Sequence, residues 1–259
     1  MQATKDLEFA RKLVKKAGKI MLSSLEASYQ TRWKPDNTPV TSIDININRF
    51  INGEIVKAYP GDTIHSEELP PKNGSQFTWV VDPLDGTQAL GILPTSTICI
   101  SRLDSTGQPL FGLVLNPQTN ELFEAQKGRP ALLNGQEMHV SNKTKLKGSY
   151  IFLGSRMSTG PGASNGQIYD RLEAKGAKIL NTRSFAFSYC MVASGKAEGV
   201  FLGVKTTFEA AAIKLLAEQA GGKVTDLFGK PHERFDTEIS GLVVSNGHLH
   251  DALLTALSK

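Results

Sequence analysis

Residues 80–87 read VVDPLDGT: two aspartates three positions apart, a proline between them, then a glycine and a threonine. The apolar run FTWVVD (77–82) reads as a strand that stops at Asp82, where successive side chains would leave by opposite faces if the strand continued. Pro83 has no amide hydrogen and breaks the ladder, so the backbone is expected to turn and bring Asp82 and Asp85 to one side. Two carboxylates aimed at one point repel each other unless a cation lies between them. Hard oxygen donors in that number suit magnesium, which takes carboxylates, carbonyls and water at about 2.0–2.1 Å. The same turn can present the Leu84 carbonyl. Gly86 lets a ligand approach the backbone, and Thr87 is placed to open a helix whose first amides attract phosphate. The plain alternative is a loop whose aspartates only close Asx turns.

Three further acidic places change the weight of that pair. His65-Ser66-Glu67-Glu68 ends another short apolar stretch; by itself, a glutamate pair in a loop is usually solvated. Phe208-Glu209 opens the run FEAAAIKLLAEQAGG, and Asp44 closes the earlier segment KPDNTPVTSID. Taken in order, KPDNTPVTSID, IHSEE, WVVDPLDGT and FEAAAIKLLAEQAGG resemble the inositol monophosphatase family of metal-dependent, lithium-sensitive phosphatases, over about residues 5–257.

The resemblance implies roles. Glu67, Asp82, the Leu84 carbonyl, Asp85 and Glu209 would hold magnesium, roughly two or three ions (Mg2+) per site. Gly86 and Thr87 would supply amides to the substrate phosphate, with Asp85, Ser184 and Lys205 also on the substrate side. Asp44 would hydrogen-bond Thr87 and, with Glu67, position a metal-activated water, so Glu67, Thr87 and Asp44 form the expected catalytic set. The reaction so implied is magnesium-dependent hydrolysis of a phosphate monoester on a small metabolite. Fructose-1,6-bisphosphatase or 3'(2'),5'-bisphosphate nucleotidase activity, or a non-catalytic phosphometabolite-binding role, are the alternatives.

The sequence also departs from the family pattern. Trp-Asp is usual where Phe208-Glu209 stands, and the extra methylene of Glu209 could upset a rigid magnesium site. Glu209 is then either a helix-start acid favoured by the dipole or a ligand on a slightly shifted helix. The fructose-bisphosphatase branch uses glutamate at this place before a similar Glu-x-Ala-Gly-Gly ending, which favours ligation. Leu202 replaces a glutamate that accepts from sugar hydroxyls, and Arg183-Ser184-Phe185 replaces Gly-Ser-Ala. With Lys205 on the approach to Glu209, these changes disfavour a neutral polyol and suit a substrate with a second anionic group. Solvated surface is the other reading of Arg183 and Lys205.

Several elements must position these residues. Residues 5–25 and 43–55 carry apolar side chains at helical spacing, with the polar stretch WKPDNTPVTSID read as a loop between them. Strands are expected at 63–66, 77–82, 96–103, 109–116 and 121–126, with an Asn-Pro hairpin turn at 116–117. The second half alternates: strand 149–154, helix 165–176, helix 184–195, strand 198–203, helix 208–220, strand 242–247 and a terminal helix. This order predicts a layered α/β or α+β sandwich, and the resemblance makes it the α-β-α-β-α sandwich of the sugar phosphatases. We expect one catalytic unit, with a soft boundary near 140–148 dividing a metal-site part (1–144) from a C-terminal part (145–259).

Composition sets outer limits. The chain has 259 residues, 40% hydrophobic and 21% charged, enough for one sizeable core. The net charge of +4 is compatible with anionic partners, yet the basic residues are scattered among 25 acidic ones. No basic patch interleaved with aromatics marks a nucleic-acid binder; a small phosphorylated molecule accounts for the charge as well as a polyanion does, and a small phosphorylated metabolite without nucleic acid is the expected partner. No apolar run reaches the roughly 18 residues of a membrane span, and the charged, periodic N-terminus does not resemble a signal peptide. Cys99 and Cys190 sit in apolar segments as expected buried thiols, so the cytoplasm is the expected compartment. The five histidines show no pairing that calls for ligation and read as surface or helix-cap residues. The family often forms dimers, which is the ground for expecting a homodimer.

Overall fold

Alternation and helical spacing account for most of the chain. Leu7, Ala10, Leu13, Val14, Ala17 and Met21 are buried along one stripe of the first helix, α1 (Gln2–Glu26). Ile43, Ile47, Ile51 and Ile55 do the same for α2 (Ser42–Ala58), each burial contributing about 1.5–3 kcal/mol. The computed structural model describes the backbone of residues 2–157, 161–206 and 208–258, and the side chains of 5–154, 161–203 and 208–258.

Between the two helices lies a short hairpin, β1 (Thr31–Trp33) and β2 (Pro39–Thr41), where the sequence suggested an open loop. The chain continues through β3 (Thr63–Ser66), β4 (Leu69–Lys72), β5 (Thr78–Asp85), β6 (Thr97–Leu103), β7 (Pro109–Asn116), β8 (Glu121–Gln126), β9 (Leu132–Leu133) and β10 (Gln136–Glu137). These eight strands form one sheet in the order β10-β9-β8-β7-β6-β5-β3-β4, antiparallel except for the parallel pair β3 and β5. Two consecutive prolines in β4 are tolerated because it is an edge strand.

The remaining elements are β11 (Tyr150–Met157), α3 (Asn165–Ala174), β12 (Lys178–Leu180), α4 (Phe185–Ala193), β13 (Gly199–Thr206), α5 (Ala210–Gln219), β14 (Lys223–Thr225), β15 (Ile239–Ser245) and α6 (His250–Leu257). Their strands make a second sheet in the order β12-β11-β13-β15-β14, with β15 antiparallel to both neighbours.

The two faces of each sheet sort the layers. On the first sheet, Trp79, Val81, Ile98, Ile100 and Leu113 pack against α1 and α2. Val80, Cys99, Val114 and Phe123 face the other way, onto α4 and α5. The same two helices receive Val200, Leu202, Leu242 and Val244 from the second sheet, whose opposite face gives Phe201 and Val243 to α3 and α6. The layers therefore run α-β-α-β-α, as expected, with α4 and α5 shared by both sheets. Small residues make this possible: a Cβ at Gly112 would lie 2.6 Å from the Ala212 Cα, so β7 and α5 meet backbone to backbone.

His250 corrects one expectation. It is fully buried at the start of α6, between the Thr225 and Ser245 hydroxyls at 2.9 and 2.8 Å. Both cysteines are buried free thiols, as expected. No helix among the described residues is long and apolar enough to cross a membrane.

Candidate active site

The end of β5 does not break at Pro83; it bulges. Asp82 pairs with Cys99 and Asp85 with Thr97, so three steps along β5 oppose two along β6. Residues three apart on a regular strand face opposite ways, and the one extra residue cancels that mismatch. Asp82 and Asp85 thus reach a common side by a bulge within the strand, and the proline sits where no ladder hydrogen bond is required.

That side is the one covered by α4 and α5. Asp85, 8% exposed, reinforces the Ser184 cap of α4: Ser184 Oγ donates to its Oδ2 at 2.5 Å, and the amides of Ala186 and Phe185 donate at 2.8 and 3.3 Å. Burial raises the Asp85 pKa, and these hydrogen bonds pull against the rise without cancelling it. Asp82 is buried too, and accepts the Leu84 amide at 3.0 Å. Its pKa is pushed well above the usual carboxylate range, first by burial, then by the charges of Glu67, Asp85 and Glu209. Glu209 is buried at the N-terminus of α5 and makes no side-chain cap bond to it.

Thr87 and Asp44 form a second group. Thr87 Oγ lies 2.8 Å from Asp44 Oδ1 and 2.9 Å from the Leu84 carbonyl oxygen, able to donate to either. The other Asp44 oxygen accepts the Thr41 amide at 2.8 Å, completing a capping box at the start of α2. The stretch Pro-Val-Thr-Ser-Ile-Asp therefore builds the helix start and aims Asp44 at once. Burial raises the Asp44 pKa against the hydrogen bonds from Thr41 and Thr87. Gly86 has φ 86°, and a Cβ there would meet the Ser184 Cβ at 2.7 Å, so only glycine fits between the two groups. Thr87–Ala89 is a single 3-10 turn rather than the longer helix start expected from sequence.

Glu67 is the most open member of the set. Lys34, in the turn of the β1–β2 hairpin, holds it at 2.8 Å and Glu68 at 2.6 Å. Burial alone would lower the Lys34 pKa, but Glu67 and Glu68 overcome it and the net shift is upward. Sequence reasoning quoted the segment around Lys34 without singling it out, because only hairpin closure brings it to Glu67. Ser184, expected on the substrate side, is 1% exposed, its hydroxyl engaged by Asp85, while the side chain of Lys205, expected there too, lies outside the described residues.

Donor chemistry and geometry speak differently about a metal. Asp82, Asp85, Glu209 and Glu67 are hard oxygen donors whose mutual repulsion, felt at buried Asp82, a divalent cation would offset. Yet among the described residues no three such side chains are drawn around one point as an ion would draw them. Glu67 turns to Lys34, and Asp85 to Ser184 and α4. The residues fit a cation by charge and chemistry, in an arrangement that would have to close around it.

A profile of the inositol monophosphatase family matches residues 2–259. The chain is 30% identical over 261 residues to a histidinol-phosphatase of Chlorobaculum parvum, covering 99% of this chain and 98% of that protein. It is 27% identical over 263 residues to a fructose-1,6-bisphosphatase/inositol-1-monophosphatase of Thermotoga maritima, covering 98% and 96%. Among solved structures, the extragenic suppressor protein suhB of Bartonella henselae superimposes with a TM-score of 0.89 at 25% identity, over 98% of this chain and 99% of that one. With the match running from end to end, and the acidic segments in the order and layers described, the chain belongs to the inositol monophosphatase family.

Proposed function

We propose that this protein is a magnesium-dependent phosphatase that hydrolyses a phosphate monoester on a small metabolite. The observation that carries the reading is Asp82, a buried carboxylate on which the charges of Glu67, Asp85 and Glu209 all act, and therefore a standing demand for positive charge. Asp82, Asp85, Glu209, Glu67 and the Leu84 carbonyl would hold the cation. When bound, it would supply charge for the phosphoryl oxygens and make water more acidic. Thr87 Oγ can accept a proton from a water while passing its own to Asp44 Oδ1, whose basicity burial raises. Amides at Gly86 and Thr87, where the chain turns left-handed, would hold the phosphate.

Two observations bear on the substrate. Leu202 is fully buried in the shared core and offers nothing to a sugar hydroxyl. Arg183, directly before Ser184, is exposed and has φ 59°; the other described non-glycine residues with positive φ are Asn37, Asn120 and Asn134. Asparagine adopts that conformation readily and arginine does not. A guanidinium held there at some conformational cost supports a substrate with a second anionic group. The named relatives act by title on three different esters, so the test is a panel: histidinol phosphate, fructose 1,6-bisphosphate, inositol 1-phosphate and a nucleoside bisphosphate, each with and without magnesium. Magnesium-dependent phosphate release from one of them supports the proposal; none from well-folded protein rejects it. Glu209→Ala should lower kcat/KM by about 100-fold, and Glu209→Asp by less than about 10-fold. Wild-type kinetics in Glu209→Ala would show that Glu209 is no ligand.

A second reading, a phosphometabolite-binding protein without turnover, is favoured by Lys34, which already occupies Glu67 and Glu68. Calorimetry would show ester binding indifferent to magnesium, with no phosphate release.

A further inference from the structure

The buried stripe of α2 carries two polar side chains, Asp44 and Asn48, one helical turn apart. Asp44 meets Thr87, whereas Asn48 has no part in the function proposed above. Asn48 is 0% exposed, and the adjacent Ile47 and the next-turn Ile51 belong to the core between α2 and the first sheet. Burying an amide in such a place is unfavourable unless its ends are hydrogen-bonded.

Both ends of Asn48 are used, and they fall on either side of Glu67. Its Nδ2 donates to Ser66 Oγ at 3.1 Å, and its Oδ1 accepts the Glu68 amide at 3.4 Å. Asn52, a turn further along α2, adds a second donor to Ser66 Oγ at 2.8 Å. The amide of Glu67 itself donates to the Val81 carbonyl at 3.2 Å, directly before Asp82. These ties matter because Ser66 pairs with Leu69, leaving Glu67 and Glu68 as the two residues that turn β3 into β4. Two-residue hairpin turns favour positive φ, and neither glutamate adopts it. The turn is therefore held from outside. Lys34 holds the two carboxylates, but a cation arriving at Glu67 would compete with Lys34, and the ties to the backbone would remain.

We propose that Asn48 is a positioning residue for Glu67: by clasping the residues before and after it, Asn48 fixes the turn from which the Glu67 carboxylate reaches the bound cation. The inference rests on the reading of Glu67 as a ligand. An amide suits the task because it offers a donor and an acceptor at separate atoms; a leucine of similar size would pack here and hold nothing. Since Asp44 shares the buried stripe, one helix sets the Glu67 turn and the Asp44–Thr87 pair against each other.

The test is calorimetry of Mn2+ binding to the full-length protein, at a temperature where every variant is folded by circular dichroism. Asn48→Ala should weaken Mn2+ binding about 10-fold. Ser66→Ala removes a single oxygen, folds more readily, and should weaken it about 5-fold. In a Glu67→Gln background, adding either change should alter the remaining affinity little, because the carboxylate being aimed is gone. A role confined to stability would lower the melting temperature and leave the affinity of the folded protein where it was. Unchanged Mn2+ affinity in both folded variants, or an equal loss with and without Glu67→Gln, overturns the inference. Wild-type affinity in Glu67→Gln alone overturns the reading of Glu67 as a ligand, and wild-type protein that binds no Mn2+ overturns the metal site as a whole; either result removes this inference as well.

Discussion

Asp82 is 4% exposed, and Glu67, Asp85 and Glu209 all act on it, so its folded form holds a proton more tightly than an unfolded aspartate. The consequence for pH follows from linkage. With the folded pKa raised, the native chain binds more protons above about pH 4, and stability falls as pH rises from there through the folded pKa. In chelator, Asp82→Asn should therefore melt higher near neutral pH, by about 1–3 kcal/mol of added stability, while phosphate release disappears. A variant that melts lower in chelator would show that Asp82 is already compensated. At this scale the sequence was informative where the chemistry is local: Asp82, Leu84, Asp85, Gly86 and Thr87 lie within six residues. Lys34 was not legible, because its relation to Glu67 exists only after a hairpin closes.

Elements set the directions of these groups. Proline between the aspartates pointed to a stopped strand, and pairing shows instead a strand that carries one extra residue. The difference arises because β6 continues past the proline and offers Thr97 as the next partner for Asp85. Among the described elements, the sequence pointed to the long strands, the six helices and the four-residue β3, but not to β1, β2, β4, β9, β10, β12 and β14, each of four residues or fewer and short for a repeat to register. The hairpin β1–β2 was hidden the same way, its turn read as open loop. Gly86 joins β5 to α4 across a contact no other residue fits. Gly86→Ala should cost about 1–3 kcal/mol and loosen Ser184 from Asp85; circular dichroism melts and phosphate release would both fall. Wild-type values for both would mean that Ser184 can retreat freely.

At the level of the whole molecule, element order was enough to predict layering, while the identity of the shared helices depended on packing between distant segments. α1, the turn after α2, and strands β5 and β6 are fastened by Arg102, which is buried between Asp6 at 2.6 Å and Asp62 at 2.8 Å, with its guanidinium 4.0 Å from the Phe77 ring centre. Trp79 Nε1 also donates to Asp62, and Tyr59 Oη to Asp6. Arg102→Met would strand both carboxylates and should lower stability by about 3–5 kcal/mol, read from urea denaturation; a loss below about 1 kcal/mol would place these charges in contact with water. His250 works at the other side of the fold. Burial, with a smaller effect from Lys223, lowers its pKa to about 4, so it stays neutral when folded. The unfolded chain takes up that proton first, so the contribution is complete above about pH 6.5 and is lost as pH falls toward about 4. The melting temperature of His250→Gln should vary less than the wild type's across that interval; identical slopes would assign the effect elsewhere.

The shared middle layer has one more implication. Asp82 and Asp85 arrive from the first sheet, whereas Glu209 stands between the last strand residue of β13 and α5, so the acids proposed to hold the cation straddle a seam. An ion bridging that seam would act as a latch, gripping only a chain in which both halves have already met. Its departure would free either half to open first.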